Sequence, residues 1–293
     1  MIYIVGMIDH MTNNLESIID DLFSIGVTIR NLIPEYTDGS VGTNVYGDSQ
    51  KKLDIMANEL FIEKFTNHRY VGKLASEEMD NIIEKGSGSY MLTFDPLDGS
   101  SNIDTNNLFG TIVAIFNGNY KNIKNLEASM YLLYGPSLTS VVAYNNNVDE
   151  YIYNPNKKEW HIRKSGLKLQ KKNWVYGIGG IKKEWPDWLK SFEHEHLEGF
   201  KQRYGGALVG DFNQLLHYGG FFAYPELNGK PNGKYRAYFE SIPIALITEY
   251  ADGFAVDGIN HLLKREYSSI MDVIPSYFGN LELLDTMMKY RNG

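Results

Sequence analysis

The chain of 293 residues contains no cysteine. This absence excludes disulfide bonds, thiolate metal sites and catalysis by a thiol. The sequence also lacks an apolar run long enough to span a bilayer, and residues 1–7 show neither the basic start nor the cleavage site of a signal peptide. We therefore expect a cytoplasmic protein without a membrane partner.

Basic residues are the minority among the charged side chains. Lysine and arginine number 28 against 36 acidic residues, which gives a formal net charge of −8. This balance disfavours a nucleic-acid partner. An acidic chain that binds an anionic substrate must concentrate its cations locally or use metal ions. The length and the hydrophobic content of 43% suit one large globular domain or two linked ones.

The central pattern of the sequence begins with the apolar run at residues 90–94. Such a run predicts a buried strand. We expect the strand to end at Asp95, because Pro96 cannot donate to a strand ladder and predicts a turn.

A second acidic residue, Asp98, follows three positions after Asp95. Gly99 allows a tight turn and a close approach of the backbone to a ligand, and Ser100 and Ser101 suit a helix start, where free N–H groups favour an anion. A hard cation such as Mg²⁺ relieves the repulsion between two carboxylates and also binds phosphate oxygens. The stretch predicts a metal and phosphate site; a solvated, Asp-rich turn is the alternative interpretation.

The residues from Asp95 to Asp104 read Asp-Pro-Leu-Asp-Gly-Ser-Ser-Asn-Ile-Asp. They resemble the signature of the class I fructose-1,6-bisphosphatases and their sedoheptulose-1,7-bisphosphatase relatives, which are lithium-sensitive, metal-dependent sugar phosphatases. The resemblance extends from about Gly42 to the end of the sequence. It implies an α/β (α+β) fold in five layers, an α-β-α-β-α sandwich. We place an N-terminal half at 1–168, with most metal ligands, and a C-terminal half at 169–293, with the sugar contacts.

The resemblance also implies roles for the acidic residues. Two or three Mg²⁺ ions per subunit, with Mn²⁺ as the alternative, are expected on Glu77, Asp95, the Leu97 carbonyl, Asp98 and Glu240. Asp54 and Glu78 are expected to orient the attacking water and to take its proton, and Asp48 is expected on a loop that closes over the site. From the sequence alone, Asp54 could instead be an exposed partner of a helix dipole.

The expected substrate contacts fall into two groups. Gly99, Ser100 and Ser101 would bind the phosphate that is removed. The second group would bind the sugar and its far phosphate, and consists of Arg203, Tyr204, Tyr224, Lys234 and Arg236. Arginine suits a phosphate because its planar guanidinium donates two parallel hydrogen bonds, although alternating cations could also form a solvated face. In the resembled family this arginine reaches a neighbouring subunit, which implies a homo-oligomer, a dimer or a tetramer.

The expected reaction is Mg²⁺-dependent hydrolysis of the 1-phosphate of fructose 1,6-bisphosphate. Sedoheptulose-1,7-bisphosphatase activity, alone or in addition, is the alternative, favoured by Tyr-Gly-Pro at 134–136 and Asp-Phe-Asn-Gln at 211–214. A catalytically silent sugar-phosphate sensor is a remoter alternative, and the Phe-Glu at 239–240 disfavours an inositol monophosphatase. Ser89 and Asn117 replace the family's AMP-contacting Lys and Arg, so we expect insensitivity to AMP.

Three further expectations concern local structure. Apolar residues between Leu15 and Ile33 recur at helical spacing, which predicts an amphipathic helix that ends at Pro34. Glu240 is expected at the end of a strand. The glycine-rich turn at 177–180 stands where related fructose bisphosphatases have an Asn-Glu-Gly stretch, and our hypothesis is that its backbone N–H groups replace the phosphate contact of that Asn.

Overall fold

The computed structural model describes residues 3–5, 11–37, 48–84, 86–171 and 174–292. Within these ranges the chain forms six α-helices and sixteen strands, which build a nine-stranded sheet, a five-stranded sheet and a two-stranded ribbon. None of the helices in these ranges is long and apolar enough to cross a membrane.

The nine-stranded sheet contains the N-terminal strands and is largely antiparallel. From one edge to the other, its strands are β1 (Tyr3–Val5), β9 (Glu159–Lys164), β8 (Asn147–Asn154), β7 (Leu138–Tyr144), β6 (Leu126–Tyr134), β5 (Phe109–Asn117), β4 (Tyr90–Asp98), β2 (Val71–Ser76) and β3 (Ile83–Glu84). Two pairs in it, β1 with β9 and β2 with β4, are parallel. The apolar runs at 110–116, 128–134, 138–144 and 151–153 all lie within strands of this sheet.

The five-stranded sheet belongs to the C-terminal part of the chain. Its strands, in order, are β11 (Lys201–Gln202), β10 (Val175–Ile178), β12 (Gly220–Tyr224), β16 (Ser276–Gly279) and β14 (Phe254–Val256). A short ribbon pairs β13 (Tyr235–Arg236) with β15 (Val273–Ile274).

The helices cover both sheets in pairs. They are α1 (Asn13–Thr37), α2 (Asp48–Thr66), α3 (Asp187–His196), α4 (Leu208–Tyr218), α5 (Ile242–Tyr250) and α6 (Leu281–Asn292). Helices α1 and α2 pack on the outer face of the large sheet, α4 and α5 lie between the sheets, and α3 and α6 cover the outer face of the small sheet. This arrangement confirms the predicted five-layer α-β-α-β-α sandwich.

The central strands are apolar throughout because helices cover both faces of the large sheet. In β5, Ile112 and Ala114 face the core shared with α4 and α5, whereas Val113 and Ile115 face the core shared with α1 and α2. All four are fully buried. Side chains alternate between faces along a strand, so one apolar run supplies two separate cores.

Two predicted boundaries differ from the structure. Helix α1 begins as expected, with Leu15 N–H donating to the Thr12 hydroxyl at 3.4 Å, but it continues through Pro34 to Thr37. Pro34 lies in the last turn, so its missing N–H removes one hydrogen bond, to the carbonyl four residues earlier, close to the end of the helix.

Strand β4 does not end at Asp95 but continues through Pro96 to Asp98. Asp95 pairs with Ile112 and Asp98 pairs with Gly110, so two residues of β4 oppose one residue of β5. This is a β-bulge, in which a residue needs no ladder partner and proline is tolerated.

A polar contact ties the end of α4 to the large sheet. His217 of α4 lies 3.3 Å from Glu150 of β8, and its Nδ1 donates to the Asn213 carbonyl at 2.8 Å. The hydrogen bond with Glu150 raises the pKa of His217. Burial raises the pKa of Glu150, but His217 and Arg163 outweigh burial and leave that pKa below its usual value.

We expect the His217–Glu150 pair to make the stability of the fold depend on pH. Because the pKa of His217 is raised on folding, its contribution is complete below the ordinary value of 6.5 and is lost as the pH rises through the folded value. Glu150, with its lowered pKa, loses its contribution only in acid. Between pH 6 and pH 8.5 the wild type should lose about 1 kcal/mol, or about 2 °C in Tm, relative to His217→Gln.

Thermal unfolding of both proteins across that pH range measures the difference. Parallel Tm curves for the two proteins would show that the pair contributes nothing through titration of His217.

Candidate active site

The parallel pairing of β2 and β4 brings two acidic residues together. Ser76 pairs with Phe94, and the N–H of Glu77 donates to the Phe94 carbonyl at 3.0 Å. Glu77 therefore leaves β2 beside Asp95 of β4, because neighbouring parallel strands end at the same edge of a sheet. The Oδ1 of Asp95 accepts the N–H of Leu97 at 2.9 Å, which fixes the orientation of the carboxylate.

The bulge in β4 positions Asp98. Thr111 donates from its hydroxyl to the Pro96 carbonyl at 2.8 Å and thus holds the bulge. The Oδ2 of Asp98 accepts the N–H of Val209, in the first turn of α4, at 2.7 Å. A free N–H group at a helix start is a suitable donor to a carboxylate.

Glu240 lies in a π-helical turn, Ala237–Ser241, that leads directly into α5, and not at the end of a strand as predicted. The π-turn places the Glu240 carboxylate against the preceding chain, where its Oε2 accepts the N–H of Arg236 at 2.6 Å. Single π-turns of this kind are frequent at functional sites. On the other side, Thr93 of β4 donates to the Tyr238 carbonyl at 2.7 Å and fastens the turn to the central strand.

Three carboxylates converge as a result. Oxygen atoms of Glu77, Asp95 and Glu240 all lie within 4.8 Å of one another, and Asp95 and Glu240 are each 6% exposed. Burial, together with the neighbouring carboxylates, raises the pKa of Asp95 and Glu240 well above the usual range. Burial also raises the pKa of Glu77, which Arg236 partly opposes from Nε at 3.3 Å.

Two more acids adjoin this trio. Asp98 is outside the group of three but interacts electrostatically with Glu77 and Asp95, and burial raises its pKa to about 7. Burial and the Glu78 carboxylate raise the pKa of Asp54 to about 7 as well, while a hydrogen bond with the Ser100 side chain opposes the shift. Asp54 therefore lies beside the acidic cluster and is not a solvated dipole partner.

The structure places the other predicted metal and catalytic residues as follows. Leu97 is buried within the bulge. Glu78 is exposed, and its backbone N–H donates to the Ser76 hydroxyl at 3.2 Å. Asp48 is the first residue of α2, and its side chain lies outside the described part of the chain.

Gly99, Ser100 and Ser101 follow Asp98 as predicted, but they form a shorter helix start than expected. The 3₁₀ turn spans Ser100–Asn102, and Gly99 precedes it with φ of +75°. A Cβ at position 99 would lie 2.2 Å from that of Ala207, so glycine is required both by its backbone and by the approach of the second half of the chain.

Two of the predicted cations, Lys234 and Arg236, interact with the carboxylates. Lys234 has its Nζ 5.7 Å from the ring centre of Tyr224, and its charge partly opposes the effect of burial on the pKa of Asp98. Tyr204 is 45% exposed, and its hydroxyl interacts electrostatically with Tyr224. Arg236, expected among the substrate contacts, instead donates to the carboxylate trio.

Arg203 is exposed and turns toward α4. Its guanidinium donates to the Gln214 side chain at 3.0 Å and lies 5.8 Å from the ring centre of Tyr218. Both partners are neutral, so the charge of Arg203 has no anionic partner among the residues of the described ranges.

The glycine-rich turn has a steric role that the sequence did not indicate. The N–H of Gly179 donates to the Ala223 carbonyl at 2.8 Å, so our hypothesis of a phosphate contact is wrong for this group. A Cβ at Gly179 would lie 2.3 Å from the Tyr224 ring, and one at Gly177 would lie 2.3 Å from the Arg203 carbonyl. The two glycines therefore let the segments that carry Arg203 and Tyr224, both predicted substrate contacts, pack closely against this turn.

Sequence reasoning assigned no role to Asp211 or Asn102, which hold the loop at 203–207. Asp211 accepts two backbone N–H groups of that loop, and Asn102 donates to the Gly205 carbonyl at 2.8 Å. The feature of the sequence that could have indicated this contact is an acidic residue in the first turn of α4, a few positions after two glycines.

Comparisons with known proteins give one consistent result. The family model described as fructose-1-6-bisphosphatase, N-terminal domain, matches residues 8–165, and the corresponding C-terminal domain matches residues 169–292. A class 1 fructose-1,6-bisphosphatase of Haloarcula marismortui is 35% identical over 92% of this chain and 92% of its own. One of Geobacter sulfurreducens is 34% identical over 97% of this chain and 93% of its own.

Structural similarity agrees with the sequence matches. The crystal structure of Leishmania major fructose-1,6-bisphosphatase in holo form superposes with a TM-score of 0.89 at 26% identity, over 98% of this chain and 97% of that one. With both domain models matched in order along nearly its whole length, this chain belongs to the fructose-1,6-bisphosphatase family.

Proposed function

We propose that this protein is a sugar bisphosphatase that hydrolyses the 1-phosphate of fructose 1,6-bisphosphate to give fructose 6-phosphate and phosphate. The observation that carries the proposal is the trio of Glu77, Asp95 and Glu240, whose oxygens lie within 4.8 Å of one another and of which Asp95 and Glu240 are buried. Relatives named fructose-1,6-bisphosphatase, similar over nearly the whole chain, support the assignment of the substrate.

The trio fits divalent cations. Ionising three clustered carboxylates, two of them buried, is costly without compensating charge, and their raised pKa values express that cost. We propose Mg²⁺ as the cation, held by Glu77, Asp95 and Glu240 with Asp98 and the Leu97 carbonyl. When bound there, the cations neutralise the phosphate and lower the pKa of a coordinated water.

The side chains around the trio divide the remaining work. Asp54 and Glu78 are the proposed acceptors of the proton from the attacking water, and the pKa of about 7 at Asp54 is suited to a general base near neutral pH. The Ser100 side chain orients Asp54 by hydrogen bonding. The N–H groups of Gly99 and Ser100 bind the phosphate that is removed, with Ser101 beside them. Attack on phosphorus proceeds in line with the departing sugar oxygen.

The far phosphate of the substrate is proposed to lie between the loop at 203–207 and Lys234. Lys234 supplies an ammonium group beside Tyr224, and Tyr204 supplies a second hydroxyl. A cation and hydroxyl groups beside the carboxylate trio suit a substrate that carries a second phosphate. We propose that the active site lies between halves 1–168 and 169–293.

Arg203 is proposed to complete the far-phosphate site of a neighbouring subunit in a homo-oligomer. In the described part of the chain its guanidinium binds the neutral Gln214 side chain and is exposed. An exposed guanidinium without an anionic partner is a ready ligand for phosphate.

Turnover tests the proposed function directly. With Mg²⁺ the protein should release phosphate from fructose 1,6-bisphosphate, and EDTA should abolish release. Asp98→Ala, which removes a proposed ligand while leaving its neighbours in place, should lower kcat by at least about a thousandfold. Sedoheptulose 1,7-bisphosphate is the comparison substrate, and a ratio of kcat/KM beyond tenfold decides between the two sugars. Binding of both sugars without release would establish a sensor instead.

Metal binding can be tested separately by thermal unfolding. Asp95→Asn removes one negative charge from the trio but retains Oδ1 as the acceptor of the Leu97 N–H. We expect this variant to be more stable than the wild type in EDTA, by about 1 kcal/mol, because repulsion between buried carboxylates is relieved. Added Mg²⁺ should raise the Tm of the wild type but raise that of the variant much less.

Equal Mg²⁺ shifts in the two proteins would place the cation elsewhere. Asp104→Asn is the matched control, since Asp104 is an exposed acid that follows the same motif and is outside the trio.

A subunit-mixing experiment tests the role of Arg203. Arg203→Ala and Asp98→Ala chains should each form nearly inactive homo-oligomers. If Arg203 acts on the neighbouring site, a mixed oligomer restores some sites. In these sites the Arg203→Ala chain supplies the intact carboxylates and the Asp98→Ala chain supplies Arg203. We expect mixing to restore activity toward fructose 1,6-bisphosphate to a substantial fraction of the wild-type value.

Mixed oligomers with no more activity than the separate variants would assign Arg203 to its own subunit. Lys201→Ala, an exposed cation two positions earlier, is the control for loss of surface charge.

A further inference from the structure

The loop at 203–207, which carries Arg203 and Tyr204, is held by one buried carboxylate. Asp211 accepts the N–H of Gly205 on Oδ1 at 2.6 Å and the N–H of Gly206 on Oδ2 at 3.1 Å. The side chain is 4% exposed. Both carboxylate oxygens are therefore used, and each fixes a different peptide of the same loop.

The opposite side of the loop is fixed by the central motif. Asn102 donates from Nδ2 to the carbonyls of Gly205 and Leu108, at 2.8 and 2.7 Å. Gly206 adopts φ of +85°, a conformation that suits glycine. Hydrogen bonds therefore hold the N–H groups of Gly205 and Gly206 and the carbonyl of Gly205. These bonds set the direction in which the adjacent side chains of Tyr204 and Arg203 point.

The same turns of α4 contact the metal side of the site. Val209 donates its N–H to Asp98 at 2.7 Å, and Asp211 lies two residues further along the helix. The start of α4 thus bonds a proposed metal ligand through its backbone and the proposed far-phosphate loop through a side chain. Displacement of the loop relative to Asp98 would change the span between the two phosphate positions.

We propose that Asp211 is a positioning residue that sets the far-phosphate contacts of Arg203 and Tyr204 by holding the Gly205 and Gly206 peptides. The inference rests on the proposed function and assigns this carboxylate a part in substrate affinity. Burial raises the pKa of Asp211 to about 6, and its two N–H donors oppose the shift, so the carboxylate remains largely ionised at neutral pH and accepts both bonds.

The alternative is that Asp211 simply stabilises the start of α4. A helix-stabilising role would affect all ligands of the site equally, whereas a positioning role would affect the ligands that carry the far phosphate. Fructose 6-phosphate carries that phosphate, and inorganic phosphate is the product from the other end of the substrate. Comparison of these two ligands separates the two roles.

The test uses Asp211→Asn, which preserves side-chain size but offers one acceptor oxygen instead of two. Calorimetric titration in the presence of Mg²⁺ should show fructose 6-phosphate binding about tenfold more weakly to the variant, because one charge-assisted hydrogen bond to the loop is lost. The affinity for inorganic phosphate and kcat with fructose 1,6-bisphosphate should stay within about twofold of the wild type, and KM should rise with the loss of affinity.

Two further variants complete the design. His217→Gln alters the same helix at its other end, away from the loop, and should leave both affinities unchanged. Gly206→Ala disturbs the loop directly at a positive φ, where the added Cβ would be 3.6 Å from the Asn102 side chain, and should reproduce the effect of Asp211→Asn. It replaces Asp211→Asn if that variant does not fold.

Equal weakening of both ligands, or unchanged binding of fructose 6-phosphate in both loop variants, would overturn the inference. Failure of the wild type to release phosphate, with fructose 6-phosphate binding intact, would instead contradict the proposed function.

Discussion

Repulsion among buried carboxylates is the constraint on which this active site depends. Glu77, Asp95 and Glu240 come from a strand end, a bulged strand and a π-helical turn, so three separate backbone devices are needed to bring them within 4.8 Å. Backbone N–H groups satisfy one oxygen each of Asp95 and Glu240, and Arg236 faces Glu77. The backbone donors orient Asp95 and Glu240 without cancelling their charge, and Arg236 offsets one negative charge, so a bound cation is needed to neutralise the remainder.

Helix α4 connects this constraint to the rest of the fold. Its first turn donates to Asp98 and holds the loop at 203–207 through Asp211, and its last turn bonds Glu150 of the large sheet through His217. The helix lies in the middle layer and packs on both sheets. One buried element therefore fixes the distance between the carboxylates and the cations that are proposed to bind the two ends of the substrate.

The apolar run at 90–94 predicted the central strand β4, because an apolar run is a local property, whereas the five layers and the roles of the acidic residues were implied by the resemblance of the motif at 95–104 to a known family. The sequence did not predict the bulge at Pro96, since register depends on the facing residues of β5, including Thr111. The π-turn at Glu240 was likewise missed, because it is stabilised by the distant Thr93. The role of Asp211 was hidden for a related reason: spacing does not show which backbone donors a carboxylate will accept.

The partner of Arg203 also bears on how the proposed far-phosphate site can work. A carboxylate at position 214 would hold the guanidinium through a charge-assisted pair, and phosphate would have to compete with it. Gln214 offers a neutral oxygen at 3.0 Å, so it can direct the side chain of Arg203 while an incoming phosphate remains the stronger acceptor. An uncharged partner thus keeps an exposed arginine ordered and still available to an anionic substrate, on its own subunit or on a neighbouring one.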